Sequence, residues 1–555
     1  MLLKLTRHIL TTTLLGALSV TAFAAGDRED YDLDDDGLIE INDLGDLDEI
    51  RKNLDGSSLY ESSAGCPEAG CNGFELTTDL DFDTNGDGKM DDQDDYWNAG
   101  AGWEPIGDWG TRVAYSGNFD GNGYSISNLF INNSSIERGV GLFSFMDGRT
   151  NEARAIRNIS FDGALTKVSG LDGVGVLVGG ENGFNIKNIV VSGTVQGRDF
   201  VGVLAGEVEN SELLNIFSSG SVRGGYYSGL LAGGIYDSSV IQVFVVGMVS
   251  SNQNGPYVGG LSGLAFDNIL TDLMISVSVQ GESAGALSGF GSGSSFKKML
   301  TVGAVNDSSE ADGIIGYSED NTVDNSYWAT DTTGQDLSDS ENTIVNSFGA
   351  TLAELKCPAT PDNTTCAEEK NLYAGWSTDI WDFGTEEQLP GMIIGDIIFR
   401  DSDGDGNLDV NTQPSVSLRL TQDGTEETTI VAGEGDVTLE AIVSNLDLSE
   451  RYKLAWSLEG IDGAVEFGDT ITFNTDDLPL GDYTLSVTVT DSGYPQMSDT
   501  AEMAVRVISN IPEPEETPDT TEAPASKKKS SGGSAQWFWL VIAAMVFARR
   551  NRFAV

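Results

Sequence analysis

Apolar residues recur at fixed distances from glycine through the middle of the chain. Counted from the glycines at 175, 202, 229, 259 and 285, leucine follows after two residues and a second glycine after four. Apolar side chains follow after eleven and fourteen residues, and valine follows after twenty. The successive units are 27, 27, 30 and 26 residues long. A period in this range is typical of solenoid proteins.

Short stretches rich in Val, Ile and Leu within each unit predict strands. Because the apolar positions keep their distance from glycine, each unit points the same side chains inward, and stacked units share one core. We therefore predict an all-β chain in which residues 111–335 form a parallel β-helix, or a closely related β-solenoid, of about seven coils. Successive coils would rise about 4.8 Å.

Two further columns follow from this register. The repeated glycines are expected where the chain turns tightly. The thirteenth position after the first glycine of each unit favours a partial amide ladder at a corner, and its last two members indicate a column open to solvent. Its members are Asn188, Asn215, Gln242, Asp272 and Lys298.

Length varies at one place in each unit, between the valine at position twenty and the next glycine. These connectors are residues 196–200, 223–227, 250–257 and 280–284. They should lie along one edge of the solenoid, where insertions in repeat proteins often create a binding face. The alternative is that they are tolerated turns without a function.

The pattern changes after residue 410. Residues 416–420, 437–443, 452–458, 483–490 and 503–507 alternate between apolar and polar positions with period two. Such regular short strands predict an immunoglobulin-like β-sandwich of about 100 residues over 411–510. Residues 511–531, rich in Pro, Glu and Thr, predict a disordered linker.

The sequence patterns at both ends of the chain are typical of targeting segments. Residues 1–25 combine a basic start, an apolar stretch and the small-residue pattern Ala22-Phe23-Ala24, which predicts a secretory signal peptide. At the other end, Gly532 and Gly533 precede the apolar run 537–548 and an arginine cluster. A helix of that length reaches roughly 18 Å, short of a bilayer core of about 30 Å, so it predicts only a transient membrane anchor.

Charge and composition exclude several classes of function. The formal net charge is −57, so the surface should repel nucleic acid and anionic membranes. The one histidine, His8, lies inside the predicted signal peptide. The exported chain would therefore lack the imidazole that Ser-His-Asp hydrolases, Cys-His hydrolases and HExxH zinc proteases require.

Much of the acidic charge falls into three segments with the spacing of EF-hand-type calcium loops. Calcium needs oxygen ligands at alternate positions, a glycine at the sharp turn and a late carboxylate. A solvated acidic turn could explain one such segment, but three in the same register favour Ca²⁺ binding. The candidate ligands are Asp32, Asp34, Asp36, Glu40 and Asp43 in the first loop; Asp83, Asn85, Asp87, Asp91 and Asp94 in the second; and Asp401, Asp403, Asp405, Asn407 and Asp409 in the third.

The first two loops lie in a predicted N-terminal cap over 26–110, and the third occupies 401–410. After the first loop, Leu44, Leu47, Ile50 and Leu54 form a helical stripe that predicts core packing. The third loop has Thr412 where the late carboxylate would stand.

Four cysteines form two pairs that are close in sequence, Cys66 with Cys71 and Cys357 with Cys366. Export into an oxidising compartment predicts two local disulfides, the second in an exit cap over 336–400. A zinc site is the weaker alternative, because the chain offers no histidine after the signal peptide and the two pairs lie far apart.

Three segments resemble known families. The segments GVLVGG (175–180), GVLAGE (202–207), GLLAGG (229–234) and GGLSGL (259–264) resemble the GLUG motif of bacterial adhesin-like surface proteins, with 115–131 similar to the entry of such arrays and 373–384 to their exit. Residues 532–555 resemble the GlyGly-CTERM sorting tail of Gram-negative bacteria. Residues 481–491 are similar to a polycystic-kidney-disease-type immunoglobulin-like domain.

These resemblances imply a location and a set of partners. The tail implies removal by a rhomboid-type sorting protease after passage through the secretion machinery, and display at the cell surface or secretion. The repeats imply a surface protein with an unknown extracellular glycan or protein ligand.

We therefore expect an adhesin-like binding protein and not an enzyme. One alternative is a carbohydrate-active β-helix enzyme, a polysaccharide lyase or hydrolase, which would use paired carboxylates or calcium with a basic residue. Another is a passive extracellular spacer.

Overall fold

A computed structural model describes most of the chain between the two predicted targeting segments. Within this part of the chain, no helix is both long and apolar enough to cross a bilayer. The predicted signal peptide, the pair Cys357 and Cys366, and the sorting glycines Gly532 and Gly533 lie outside the described residues. The described ranges are 28–149, 154–251, 257–307, 314–334, 342–356, 372–448, 450–458, 461, 464–476 and 478–510.

The middle of the chain is a parallel β-solenoid, as the repeat predicted. Each coil contributes to three sheets, and the strands within each sheet pair in parallel. The seven-stranded sheet consists of Phe143–Asp147, Val178–Asn182, Ala205–Glu209, Ala232–Tyr236, Ser262–Phe266, Ser288–Ser292 and Ile315–Glu319. The six-stranded sheet consists of Arg138–Val140, Asp172–Val174, Asp199–Val201, Tyr227–Ser228, Tyr257–Gly259 and Ser283–Gly285.

The third sheet has eighteen strands and extends past the repeat at both ends. Ile39–Ile41 and Gly73–Leu76 of the N-terminal region stack below the repeat, and Phe348–Ala350 stacks above it. The remaining strands are Leu80–Asp81, Asn118–Asp120, Ser125–Ser127, Phe130–Asn132, Arg154–Asp162, Lys167–Ser169, Phe184–Gln196, Glu212–Gly224, Ser239–Ser251, Ile269–Gly281, Ser295–Val302, Val305–Asp307, Thr322–Asp324, Tyr327–Ala329 and Thr343–Val345.

The register of the long strands follows the sequence repeat. Leu213 pairs with Val240 and Ile216 pairs with Val243, so the apolar positions at eleven and fourteen form columns along the solenoid. These side chains are fully buried. Burying an aliphatic side chain of this size contributes roughly 1.5–3 kcal/mol, and the columns supply the continuous core that a single coil cannot close.

The repeated glycines serve close packing of the backbone rather than left-handed turns. Neither Gly202 nor Gly206 has a positive φ. A Cβ on Gly206 would lie 2.3 Å from the carbonyl oxygen of Gly179 and 2.5 Å from Cα of Gly173. A Cβ on Gly202 would lie 2.4 Å from Cα of Ala232. Each coil therefore touches its neighbours at two points where only glycine fits.

The left-handed turns fall at other positions, which are held by polar residues and also by glycine: Gly183 and Gly293 have φ of 80° and 63° eight residues after the first glycine of their units. Asn210, Asp237 and Asp267, eight residues after the first glycine, have φ of 51°, 48° and 55°. Every member of the column at position thirteen also has a positive φ. Asn and Asp tolerate this conformation because their short side chains can hydrogen-bond locally. Asn215 donates to Asn188 at 3.0 Å, so the expected partial amide ladder is present.

A second polar ladder lies inside the solenoid, nine residues after the first glycine. Backbone N–H groups of one coil donate to the side chain of the next: Ser211 to Ser238 at 3.1 Å, Ser238 to Asn268 at 2.9 Å, and Asn268 to Ser294 at 3.1 Å. These side chains are buried, so their hydrogen bonds satisfy backbone donors at a corner where the sheet ladder is interrupted.

The N-terminal region closes one end of the solenoid. The predicted helical stripe forms the α-helix Leu44–Glu49 and the following 3₁₀-helix Ile50–Lys52, with Leu47 and Ile50 fully buried. A second 3₁₀-helix spans Asn98–Gly100. Cys66 and Cys71 form a disulfide, as predicted.

Residues 372–400 cover an outward-facing apolar strip of the long strands. This segment forms a three-stranded antiparallel sheet of Trp381–Asp382, Gly391–Ile394 and Ile397–Phe399, preceded by the short helices Thr330–Thr333 and Leu352–Leu355. Phe399 stacks on Phe217 with 4.1 Å between ring centroids. The indole of Trp381 donates to Asp272 at 3.0 Å, and Asp272 is buried. The expectation that this column opens to solvent is therefore wrong at Asp272, because the cap covers it.

Residues 415–509 form a β-sandwich with its own core. All five predicted strands are present, together with four shorter ones. The first sheet consists of Ser415–Gln422, Thr425–Glu426, Asp436–Ser444, Val465–Phe467 and Thr470–Asn474. The second consists of Thr429–Ala432, Tyr452–Leu458, Gly481–Asp491 and Ser498–Ser509.

Candidate functional site

The three predicted calcium loops share one local hydrogen-bond pattern. The carboxylate of the first Asp accepts from the backbone N–H groups of the fifth and sixth loop residues, which curls the loop around it. The donors are Asp36 at 3.0 Å and Gly37 at 2.9 Å for Asp32; Asp87 at 3.2 Å and Gly88 at 2.8 Å for Asp83; and Asp405 at 3.3 Å and Gly406 at 2.9 Å for Asp401.

The first loop brings three carboxylates together. One oxygen each from Asp32, Asp34 and Asp36 lies within 4.8 Å of the others. Asp32 is fully buried, and burial raises the pKa of both Asp32 and Asp36. Glu40, at the ninth position, accepts from the backbone of Leu33 at 2.5 Å, and burial raises its pKa as well.

Asp43, the twelfth residue of the first loop, has another role. Its side chain caps the helix Leu44–Glu49 by accepting from the backbone of Asp46 at 2.9 Å. A carboxylate at a helix N-terminus stabilises the helix, and this role explains an acidic residue here without a metal.

A further carboxylate, which the spacing of the loop residues does not predict, lies beside this loop. Glu75 lies on the neighbouring coil, in register with Glu40 on one side and Asp120 on the other. Burial, followed by repulsion from Asp36 and Asp34, raises the pKa of Glu75 to about 8. Parallel stacking thus gathers acidic residues that are 35 to 45 positions apart in the chain. The repeat in the sequence does not extend to residue 75, so only the strand register of the folded solenoid shows that Glu75 lies beside the loop.

The second loop is arranged differently. Asn85 occupies its third position, and Lys89 pairs with Asp87 at 3.2 Å. Asp94, at the twelfth position, is buried and accepts from the backbone of Asp91 at 2.9 Å. Asp94 therefore folds back toward the loop as a late ligand would.

The third loop is anchored on the solenoid. One oxygen each from Asp401, Asp403 and Asp405 lies within 4.8 Å of the others. Asp401 is fully buried and accepts from the hydroxyl of Ser276, and burial raises its pKa. Two other predicted ligands close the loop: Asp409 accepts from the backbone of Ser402 at 2.9 Å, and Asn407 donates its amide to Asp405 at 3.0 Å.

The disulfide lies beside the first loop. The sulfur of Cys71 is 3.5 Å from a carboxylate oxygen of Asp32. Because both sulfurs are consumed by the bond, Cys66 and Cys71 do not supply the thiolates that a zinc site needs. The disulfide instead holds the neighbouring chain against the loop.

No protein-family model matches the chain. Residues of this chain are 32% identical over 157 positions to Halomucin of Haloquadratum walsbyi, covering 28% of this chain and 1% of that protein. They are 40% identical over 93 positions to a Putative Gly-rich membrane protein of Evansella cellulosilytica, covering 17% of this chain and 10% of that protein. The chain thus spans a small part of the length of both curated relatives.

Proposed function

We propose that this chain is an exported, calcium-binding repeat protein on the surface of a Gram-negative bacterium, where it acts as an adhesin-like binding protein. The observation that carries the calcium assignment is the crowding of carboxylates around Asp32, Asp34 and Asp36, with Glu40 and Glu75 beside them. A divalent cation with oxygen ligands relieves this repulsion.

The third loop supports the same assignment and gives it a structural purpose. Asp401 contacts the solenoid through Ser276, and the chain continues directly into the sandwich. Calcium at this loop would stiffen the joint between the two parts. In the second loop, calcium would have to displace the ion pair between Lys89 and Asp87, so we propose weaker binding there.

Surface location rests on the two ends of the chain and on the relatives. The predicted signal peptide and the tail with Gly532 and Gly533 would pass the chain through the secretion machinery to a rhomboid-type sorting protease. One relative is named Halomucin and the other a Putative Gly-rich membrane protein. The strongly acidic surface favours neither nucleic acid nor anionic lipid as a partner.

The edge formed by the variable connectors supports binding. The described parts of the connectors run from the long strands into the six-stranded sheet, where they carry a stack of aromatic rings. Phe200 and Tyr227 have ring centroids 4.7 Å apart, and Tyr227 and Tyr257 are 5.9 Å apart. Tyr226 beside them is 46% exposed. Aromatic rings of this kind supply apolar contact area and, in tyrosine, a hydroxyl for hydrogen bonding.

The test measures attachment of cells to host or abiotic polymers in a strain that lacks this chain and is complemented with variants. The wild type should restore attachment in calcium but not in chelator. Asp32→Asn combined with Asp401→Asn should lower attachment, while Asp482→Asn, an 84% exposed residue of the sandwich, should not. Equal attachment with and without the chain would reject the adhesin proposal and favour the passive spacer.

A further inference from the structure

A cleft of about 520 Å³ lies at the N-terminal end of the solenoid, beside the seven-stranded sheet. Because glycine has no side chain, glycines in the strands leave space for the aromatic side chains that form the walls of the cleft. Trp109 lies over Gly173 and Gly180, where an added Cβ would come within 2.6 and 2.2 Å of the indole ring. Tyr236 lies over Gly234 in the same way. The cleft therefore forms where glycine stands in place of the larger side chains of other coils, and where Trp109 packs against the sheet from a loop outside the repeat.

Three arginines line this cleft, although the chain has only 30 basic residues. Arg138 lies 4.0 Å over the ring of Trp109 and pairs with Glu207 at 2.5 Å. Arg149 pairs with Asp147 at 2.8 Å. Arg112 lies 5.5 Å over the ring of Phe145, and its charge acts on Asp147, but it forms no ion pair as close as 4.0 Å among the described residues. Two guanidinium groups are thus held in place by carboxylates, and the third is available to a ligand.

The acceptors come from two adjacent strands. Glu207 and Glu209 are two positions apart on one strand, so their side chains stand on the same outer face. Asn182 on the neighbouring strand donates to Glu209 at 2.5 Å. The side-by-side carboxylate, amide and guanidinium groups offer donors and acceptors within reach of one another.

Glu181 lies on a strand beneath the cleft, in register with the core residue Val208, so its side chain points into the solenoid and not into the cleft. It is 2% exposed, and its Oε2 accepts from the hydroxyl of Ser211 at 2.7 Å. Its Oε1 has no hydrogen-bond partner among the described residues. A buried polar atom without a partner is costly, and this oxygen lies too deep for a ligand in the cleft to reach. Burial raises the pKa of Glu181 to about 8, so this side chain is protonated near neutral pH.

The charge in the cleft selects the chemistry of its ligand. Arg112, Arg138 and Arg149 balance Asp147, Glu207 and Glu209, on a protein whose net charge is −57. The arginines would repel a metal cation, and the carboxylates would repel a phosphate. A neutral molecule rich in hydroxyl groups can donate to the carboxylates and accept from the arginines. The volume lies within the roughly 300–1,000 Å³ of pockets for small ligands.

We propose that this cleft binds a neutral oligosaccharide through its hydroxyl groups. The inference rests on the proposed adhesin function and names the chemical class of its ligand. Arg112 and Glu209 contact the sugar, and Arg138 and Arg149 hold the neighbouring carboxylates in place. The oligosaccharide is bound and not cleaved.

Isothermal titration of the full exported protein with cellohexaose, maltohexaose, laminarihexaose and mannohexaose tests the proposal. At least one should bind. Its Kd should rise at least about tenfold, or 1.4 kcal/mol, in Arg112→Ala and in Glu209→Gln, which both replace exposed side chains. The matched control is the exposed pair Arg419 and Glu440 on the sandwich, where Arg419→Ala and Glu440→Gln should leave the Kd unchanged.

Three results would overturn the inference: no binding of any of the four sugars, a Kd that neither cleft variant changes, or binding confined to the acidic polymer polygalacturonate. Release of shorter sugars, lost in Glu209→Gln, would replace binding with hydrolysis. The attachment assay separates this inference from the proposed function. Cells carrying Arg112→Ala that attach normally would refute the cleft while leaving the adhesin function in place.

Discussion

The glycine columns explain why the repeat has its sequence, and Gly206→Ala tests that explanation. The added Cβ would lie 2.3 Å from the carbonyl oxygen of Gly179 and 2.5 Å from Cα of Gly173. Both obstacles are backbone atoms in neighbouring strands, so no side chain can rotate away. The coils would have to separate locally, which weakens their hydrogen bonds and the contacts of the core beneath.

The expected loss is at the upper end of the range for overpacking, about 3 kcal/mol. For a folded unit of 150–250 residues, 1 kcal/mol shifts Tm by about 2–4 °C, so Gly206→Ala should lower the Tm of the solenoid by about 6–12 °C. Gly481→Ala is the matched control. Gly481 also lies in a strand, has no positive φ, and would place its Cβ in open space.

Differential scanning calorimetry of both variants and the wild type measures the effect, with the solenoid and sandwich transitions assigned by circular dichroism. Gly481→Ala should leave the sandwich transition unchanged or slightly raised, because alanine restricts the unfolded chain. Equal solenoid transitions in Gly206→Ala and the wild type would refute the claim that close backbone approach fixes the repeated glycine.

Further predictions concern a buried acid, the cysteines and the tail. The pKa of the Glu181 carboxyl is raised from its ordinary value of 4.5 to about 8 in the folded chain. The folded state therefore binds this proton more tightly than the unfolded state, and the stabilisation that the proton provides is lost as the pH rises from about 4.5 to about 8. Glu181→Gln should therefore match the wild type in Tm at pH 5 and exceed it at pH 8.5; a constant difference across this range would contradict the assignment. Peptide mapping without reductant should recover Cys66 linked to Cys71 and Cys357 linked to Cys366, and cross-linked pairs or free thiols would disprove this pairing. The intact mass of the exported protein should correspond to a chain that ends near Gly533, whereas a mass that includes Arg549 and Arg550 would favour a permanent anchor.

Most of the solenoid could be predicted from the sequence because two kinds of structural constraint repeat with the same period. Apolar columns such as Leu213 and Val240 and close-packed glycines such as Gly206 recur in every coil, so the sequence exposes them. The stacking of Ile39–Ile41 on Gly73–Leu76 lacks that regular spacing, so the sequence pattern predicts only a separate cap for the N-terminal region.

The candidate sites likewise divide into those that are local in sequence and those that depend on the stacking of distant strands. The proposed calcium loops are local in sequence, and their spacing alone predicts Asp32 and Asp401 as candidate ligands. Glu75 and the cleft around Glu207 depend on which strands stack side by side, and Trp109 reaches the cleft from a loop outside the repeat. The burial of Asp272 likewise depends on Trp381, which lies 109 residues further along the chain.

Thermal unfolding of the purified protein in millimolar calcium and in chelator tests whether the loops that begin at Asp32 and Asp401 bind calcium. Each occupied loop adds RT ln(1 + [L]/Kd), about 2.7 kcal/mol when calcium exceeds Kd a hundredfold. Calcium binding at these loops predicts a higher Tm in calcium than in chelator. This difference in Tm should be smaller in Asp32→Asn and in Asp401→Asn, and unchanged in Asp482→Asn. Superimposable melting curves of the wild type in calcium and in chelator would contradict it.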